Sequence, residues 1–525
     1  MIEILLVMLL SIGLRVANLL SMPMYVDEAT YLGWAVEIWD RRTRAALMIP
    51  VVEDGKQPLF MWLAGGASHL FPDPLLAGRL VSVAAGVLST LGVYLIGRWL
   101  LGRREGLAAG LLYAVAPFNL FYDRLALVEA LLNAEAIWVF ALSVFIFRRA
   151  KRARIAALAG AGMGTAIGMA IWTKTLALLI LPFPILCTIL LAQRRMARVA
   201  LTGLAVAGAI GAAIAAALLL APEAANLWSK AGTFAESPSY FWAYLPSRLV
   251  GNLSGYASWL SAYLPTPLWE LIVGAAVWGM ARRRRIALLL VGTWAAFTVP
   301  TLLWSRTVAY SSRYVLEGIF PLLVLLSAFI VRVWEWIGLK LRFRLASDLR
   351  RKEGTRLALA VLLALALVGP SLRFDLELMV KPETAPLPPH DHMLYVTGWF
   401  SGYGAKDAID LVKSRALELT ASGQPVIVLS NYYWGDVYGG LKMYLRGIPG
   451  VHMYVDSHLT WNPEEFIATW KPHHVPILVL GNDGIDNLDQ FERAVPQAVR
   501  LGYFPKPGGQ SSFRVYEVDV GGPDP

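Results

Sequence analysis

Long apolar runs separated by short charged clusters set the pattern of this chain. Spans must cover about 30 Å of hydrocarbon, and on that criterion the pattern predicts eleven of them. They lie near residues 2–21, 75–98, 105–121, 128–147, 155–172, 174–192, 199–220, 266–281, 286–303, 313–331 and 357–373. The apolar run 57–71 is left out. It follows Lys56, ends at Pro72 and Pro74, and at about fifteen residues reads as a helix lying in the interface. The Ala/Gly-rich stretch 201–216 reads as a close-packing helix. After Arg373 the pattern changes. Beyond the linker KPETAPLPPHD, helix-like runs at Lys406–Thr420 and Pro463–Trp470 alternate with the β-rich runs VIVLSNYY, VHMYV, PILVLG and FRVYEV. The fold class expected is therefore a polytopic α-helical membrane protein of about 11 transmembrane helices. It has interfacial helices in the first outer loop and a C-terminal extracytoplasmic α/β domain, divided as residues 1–373 and 374–525.

Composition agrees with this class. The chain is 57% hydrophobic and 16% charged, whereas soluble domains carry about a quarter charged residues. The N-terminal run lacks a basic leader and a small-residue cleavage site, so it reads as a retained span. The single cysteine, Cys187, excludes an intrachain disulfide and a cysteine metal site.

Charge orients the spans. With the N-terminus cytoplasmic, the basic clusters at Arg98/Arg103/Arg104, Arg148 to Arg154, Arg194/Arg195/Arg198, Arg282 to Arg285 and Arg332 to Arg356 all fall inside. Counting 57–71 as a span would invert every later loop. An odd count puts the C-terminus outside. From Phe374 onward there are 11 Lys and Arg against 18 Asp and Glu, a net of −7, and the part before it holds 36 against 19, a net of +17. The overall +10 is thus a membrane-orientation charge and not a nucleic-acid signal.

The same parity gathers polar residues on the outer face. Asp27 and Glu28 follow the first span in MYVDEATY, where Asp27 could simply open a helix. Lys56 lies in EDGKQPLF, Asp123, Arg124 and Glu129 in YDRLALVE, and Lys174 in WTKT. Arg248 lies in the aromatic loop 222–265, and Arg306, Arg313 and Tyr314 in SRTVAYSSRY. Cations at outer span ends run against the orientation rule. For Lys56, Lys174 and Arg313 the plain alternative is snorkelling to the interface. The aromatics Trp242, Tyr244, Tyr256 and Trp259 read most simply as an interfacial belt.

DEATY after the first span, KQPLFMWL before the second and GRL entering it resemble the integral-membrane C-type glycosyltransferases. So do RLALVE before the fourth span and SSRY opening a late one. The nearest group is that of the protein O-mannosyltransferases and the lipid A aminoarabinose transferases. The resemblance implies an Asp-Glu pair in the first outer loop, matching Asp27 and Glu28 with Tyr31 beside them. It also implies a Lys/His-Pro-Pro segment on an interfacial helix, a second outer acid and a polyprenyl-phosphate sugar donor. Two features depart from it. The second acid is Glu129 where relatives have Asp, with Asp123 a competitor, and Lys-Pro-Pro reads Lys56-Gln57-Pro58.

The chemistry fits this inventory. A glycosyl phosphate already carries its leaving group, so the reaction needs a base for the acceptor proton and cations for the departing phosphate, around an oxocarbenium-like transition state. Asp27 with Glu28 and Glu129 are the catalytic candidates. Lys56, Tyr31, Asp123, Arg124, Lys174, Arg248, Arg306, Arg313 and Tyr314 are the substrate-binding ones. Single displacement inverts the anomeric centre. The sequence makes no cofactor certain and leaves metal dependence open, because Asp27, Glu28 and Glu129 would be able to ligate a divalent ion if they converge. The expected partners are the polyprenyl-phosphate sugar, a glycan, lipid or protein acceptor, and membrane lipids. The expected location is the cytoplasmic membrane. Two rival readings are a secondary transporter, which calls for repeated halves and midplane ionisable groups, and an assembly subunit with an outer binding domain. Six of the seven histidines follow residue 374, but without a helix-spaced ligand set.

Overall fold

The structure is a computed structural model and describes residues 2–233, 238–304, 311–344, 349–431, 436–455 and 463–519. Among the described residues six helices are long and apolar enough to cross a membrane: Pro74–Leu100, Val128–Arg148, Ala153–Thr173, Ala197–Leu219, Arg284–Trp304 and Phe320–Ile337. The bent pair Ser239–Tyr263 and Leu268–Arg282, meeting at 109°, makes a seventh if it is one span. The expected span 357–373 lies within the helix Leu349–Val380, whereas several others are shorter or interrupted. Residues 2–21 give Ile2–Val16, and 105–121 gives Arg103–Ala114 followed by Pro117–Asp123. Proline at the first helical position starts that second piece. At 174–192 Lys174 is extended, a tight turn follows, and helix resumes at Pro182–Leu191. The run 57–71 gives only Leu59–Ala67, about 13.5 Å long at 1.5 Å per residue and well short of a bilayer.

Contacts divide the chain into two units. The first comprises Met1–Ala17, Pro50–Phe60 and Leu80–Met379; the second comprises Asn18–Ile49, Met61–Arg79 and Val380–Pro525.

In the first unit, helix Val128–Arg148 is buried on nearly every side, with Phe140 packed against Phe183 and Phe320 at centroid distances of 6.0 and 5.6 Å. Helices Ala153–Thr173 and Ala197–Leu219 meet backbone to backbone, because a Cβ at Gly160 would strike Gly203 and one at Gly164 would strike Ala207. Apolar side chains gain nothing by leaving lipid for each other, so small residues that let backbones approach supply the packing. The Ala/Gly-rich stretch has this use.

In the second unit a five-stranded sheet runs in the order β2-β1-β3-β5-β4. The strands are β1 Val426–Ser430, β2 Val451–Val455, β3 Ile477–Asn482, β4 Ala498–Pro505 and β5 Ser512–Val518. β1 pairs in parallel with β2 and β3, and β5 lies antiparallel to β3 and β4. Strands β1 and β3 are buried throughout, as strands covered on both faces are. One face packs Ile427, Leu429, Val479, Phe466 and Phe491 into a core. Helices Ala405–Ala421 and Pro463–Trp470 coincide with the expected runs to within a residue or two. The sequence pattern passed over β4, an edge strand with an irregularity between Arg500 and Gly502. The same unit holds the first-loop helix Val26–Arg41, which packs along Asp436–Leu445.

Candidate active site

The first unit gathers one charged cluster from three elements. Glu129 stands in the first turn of Val128–Arg148. Lys174 caps the end of Ala153–Thr173 with an extended backbone, which ends the helix and turns the side chain inward. Arg313 and Tyr314 come from the turn Ser312–Gly318, fastened by a 2.6 Å bond between the Ser312 and Tyr122 hydroxyls. Lys174 Nζ donates to Glu129 Oε1 at 2.7 Å, and Arg313 Nε lies 3.8 Å from the same oxygen. Lys174 Nζ and the Arg313 guanidinium lie 4.8 and 5.4 Å from the centre of the Tyr314 ring, in the cation–π range. The carboxylate is buried and both cations are partly exposed. Two cations around the Glu129 carboxylate leave a net positive charge when the buried Glu317 beside them is protonated, the form its burial favours. Glu317, on the same turn, is buried, and neither of its oxygens meets a hydrogen-bond partner among the described residues.

Other residues singled out in the first unit are placed differently. Asp123 pairs with Arg15 at 2.8 Å, both fully buried; burial pushes its carboxyl up to about 6, with Arg15 opposing. Arg124 Nη1 donates to the Leu14, Arg15 and Ala17 carbonyls at 2.7–3.0 Å, satisfying the acceptors that the first helix leaves at its C-terminal end. Lys56 pairs with Asp54 at 3.0 Å, and Lys230 pairs with the same carboxylate. Gln57 donates to Thr175 Oγ1 at 2.8 Å. Arg248 is buried, its guanidinium 5.7 Å from the centre of the Phe241 ring. Arg306 lies outside the described residues.

The second unit carries the acidic pair. Its helix opens at Val26, with Tyr25 as N-cap, so the opening falls before Asp27. Glu28, in the first turn, reaches back to accept from the Tyr25 backbone N–H at 2.9 Å, one half of a capping box. Its two oxygens also receive Arg79 Nε and Nη2 at 2.9 and 2.8 Å. This is a bidentate pair with both side chains at zero exposure. Arg79 completes its bonding on the Leu19, Met22 and Pro23 carbonyls, so one guanidinium fixes the chain leading into the helix. Asp27, one residue earlier, is partly exposed. Tyr31 is buried and stacks on Trp34 at 6.1 Å. Among the described residues no group of three or more His, Cys, Asp or Glu is placed to hold a metal.

Sequence reasoning missed Arg79 and Arg15 as partners. Both were visible, Arg79 inside the GRL element and Arg15 as a lone cation in an apolar run, where a buried charge calls for a partner.

Residues 55–220 match the family described as dolichyl-phosphate-mannose-protein mannosyltransferase. The undecaprenyl phosphate-alpha-4-amino-4-deoxy-L-arabinose arabinosyl transferase of Pectobacterium carotovorum is 26% identical over 432 residues, covering 78% of this chain and 68% of that one. A second such transferase, from Proteus mirabilis, is 28% identical over 51% of this chain and 48% of its own. Among solved structures, ArnT from Cupriavidus metallidurans bound to undecaprenyl phosphate aligns over 100% of this chain and 99% of its own. Its TM-score is 0.56 at 15% identity. The oligosaccharyltransferase AglB from Archaeoglobus fulgidus, in complex with an inhibitory peptide and a dolichol-phosphate, aligns over 97% and 73% with TM-score 0.56 at 12% identity.

Together the fold and these likenesses support one class, that of the C-type integral-membrane glycosyltransferases. The likenesses run to the protein O-mannosyltransferase and aminoarabinose transferase group, and they support a glycosyltransferase activity dependent on polyprenyl phosphate.

Proposed function

We propose that this enzyme transfers a sugar from an undecaprenyl-phosphate-type donor to an acceptor on the outer face of the membrane, with inversion at the anomeric carbon. The observation that carries the reading is the cluster of Lys174, Arg313 and Tyr314 about Glu129. Glu129 draws Lys174 and Arg313 together against their mutual repulsion, and the charge left over suits the single negative charge of a phosphodiester. As the acceptor oxygen attacks the anomeric carbon, the bond from that carbon to the phosphate oxygen breaks and its electron pair stays on the phosphate. The cations stabilise that growing charge where it develops.

Asp27 takes the acceptor proton in this scheme. It is the partly exposed member of the acidic pair, whereas Glu28 is saturated by Arg79 and the Tyr25 N–H and acts by holding the helix that carries Asp27. Glu129, occupied by cations, serves the phosphate and not the proton. Lys56, Tyr31 and Arg248 are proposed to line the path of donor or acceptor, with Arg306 beside Arg313 in sequence. Asp123 and Arg124 support the phosphate site from behind by tying the first helix. The eleven-span topology, with the N-terminus inside and the C-terminal domain outside, belongs to the same proposal, and the charge of the loops supports it.

The test is transfer by the purified enzyme in nanodiscs from radiolabelled undecaprenyl-phosphate sugars, with mass spectrometry of co-purified lipid. Labelled product and a co-purified polyprenyl phosphate are expected. Absence of transfer from every such donor, with no lipid phosphate retained, would overturn the reading.

A further inference from the structure

The helix that bears Asp27 is held by the C-terminal part of the chain, and the contacts are of a kind that leaves little play. Next to Asp27, the Val26 N–H donates to the Phe400 carbonyl at 3.3 Å, and the Tyr25 and Tyr395 rings lie 4.5 Å apart. Gly402 sits directly on the Met24 carbonyl, with no space for a Cβ. Farther along, a Cβ on Gly439 would strike the Ala29 carbonyl, and one on Gly33 would come within 3.0 Å of the Gly439 Cα. Two ion pairs continue the line, Lys442 to Glu37 at 2.6 Å and Arg446 to Asp40 at 3.0 Å. Ala29, Gly33, Glu37 and Asp40 follow the four- and three-residue spacing of one helix face. Asp27 lies off the centre of that face by roughly 125° of helix rotation, so the contact fixes the residue without covering it.

We propose that the C-terminal domain is part of the catalytic apparatus, with Gly402 and Gly439 as positioning residues that set where Asp27 stands. This rests on Asp27 being the base. Backbone pressed on backbone has no flexible side chain to absorb an added methyl group, so alanine at either glycine displaces the first-loop helix as a body. Misplacing a reacting group by about 1 Å costs on the order of 10²-fold in rate, while the phosphate cluster belongs to the other unit and keeps its own contacts.

The experiment compares Gly402→Ala and Gly439→Ala with wild type and with Gly274→Ala, a position with open space around it. Full-length enzyme in nanodiscs is used, reading kcat with undecaprenyl-phosphate sugar and, separately, donor Kd. We expect kcat to fall at least about tenfold in both glycine variants, toward the 10²-fold scale of such displacements, with donor Kd within about twofold of wild type and Gly274→Ala unchanged. Unchanged kcat in folded Gly402→Ala and Gly439→Ala overturns the inference, and so do equal losses in kcat and donor affinity, which mean general damage. Should neither variant fold, Lys442→Gln loosens the same helix without adding volume. A kcat loss with Kd preserved, recovered when the pair is reversed as Glu37→Lys with Lys442→Glu, supports positioning; unchanged kcat in Lys442→Gln overturns it. Asp27→Asn run in parallel separates the two ideas. Full turnover in that variant sinks the base assignment and this inference with it, whereas a dead Asp27→Asn beside a normal Gly439→Ala sinks the inference alone.

Discussion

Asp27 and Glu28 are neighbours in sequence with opposite surroundings: one is partly open, the other sealed against a guanidinium. Asp27→Asn keeps the size of the side chain and cannot accept the acceptor proton. Turnover should therefore fall about 10²–10⁴-fold, the range of general-base contributions, with donor affinity retained. Near-normal turnover with a dead Glu129→Gln would move the base to the first unit. Glu28→Gln should act otherwise, lowering the yield of folded enzyme, because it leaves Arg79 buried without its countercharge. On the phosphate side, Arg313→Ala removes a charged hydrogen-bond donor of the kind that contributes about 1.5–3 kcal/mol. Donor Kd should rise by about tenfold or more by isothermal titration. Arg332→Ala, on an exposed side chain paired with Glu335, should change it by less than about twofold. Equal Kd values for the two variants would remove Arg313 from the phosphate site.

At the scale of elements, the end of β3 carries a pH-sensitive contact. Asp486 accepts from the Asn482 N–H and from Asn431 Nδ2, both at 2.8 Å. Burial outweighs these bonds and pushes its carboxyl up to about 6, against about 3.9 for an unfolded aspartate. The folded state therefore binds the proton more tightly. The stabilisation is complete below about pH 4 and is lost as pH rises through about 6, a change of up to about 3 kcal/mol at 1.36 kcal/mol per unit. Amide exchange of β1 and β3, compared between wild type and Asp486→Asn at each pH, should show protection falling from pH 5 to pH 7.5 in wild type relative to the variant. Parallel curves would refute the assignment.

Elements of this kind were readable in the sequence to differing degrees. β1, β3 and Pro463–Trp470 were legible because apolar residues cluster there between clear breakers. β4 was not, since an edge strand with one face in water carries a diluted signal. Apolar runs were likewise clear as runs and poor guides to length. Pro117, Lys174 and Pro182 interrupt helices that hydropathy alone reads as continuous. Of the candidate site, the residue types were legible, whereas the gathering of Lys174 and Arg313 about Glu129, with Lys56 on Asp54 and Arg248 on Phe241, was not. Which acid faces an arginine was not, because the pairing of Glu28 with Arg79 joins residues 51 apart.

For the molecule as a whole, the two units differ in charge as well as structure. The basic loops of the membrane part support the proposed orientation, and that orientation has a direct check. Cysteine placed at Pro72 or at Ser422, both exposed, should react with an impermeant maleimide added to intact cells, while native Cys187 is buried. Protection of position 72 until the membrane is permeabilised would place the first loop inside and reverse the topology.

The second unit is assembled from distant parts of the chain, and this bears on how the protein is made. Residues 26–41 leave the ribosome roughly 400 residues before Asp436–Leu445, the helix they pack against. At about 5–20 residues per second the first-loop helix waits on the order of 20–80 s for its partner. During that interval Ala29 and Gly33 lack the backbone they press against, Asp40 lacks Arg446, and Glu37 has Arg41 of its own helix but not Lys442. The Glu28–Arg79 pair, complete once Arg79 has emerged, is then already in place, as is the bond from Trp39 Nε1 to the Trp62 carbonyl. It serves as a provisional clasp that keeps the start of the helix shaped until the end of the chain arrives. Ribosome-stalled chains ending near residue 380 should accordingly show the Met24–Glu28 segment protected from protease and the stretch Ala29–Glu37 cleaved faster than in the complete chain.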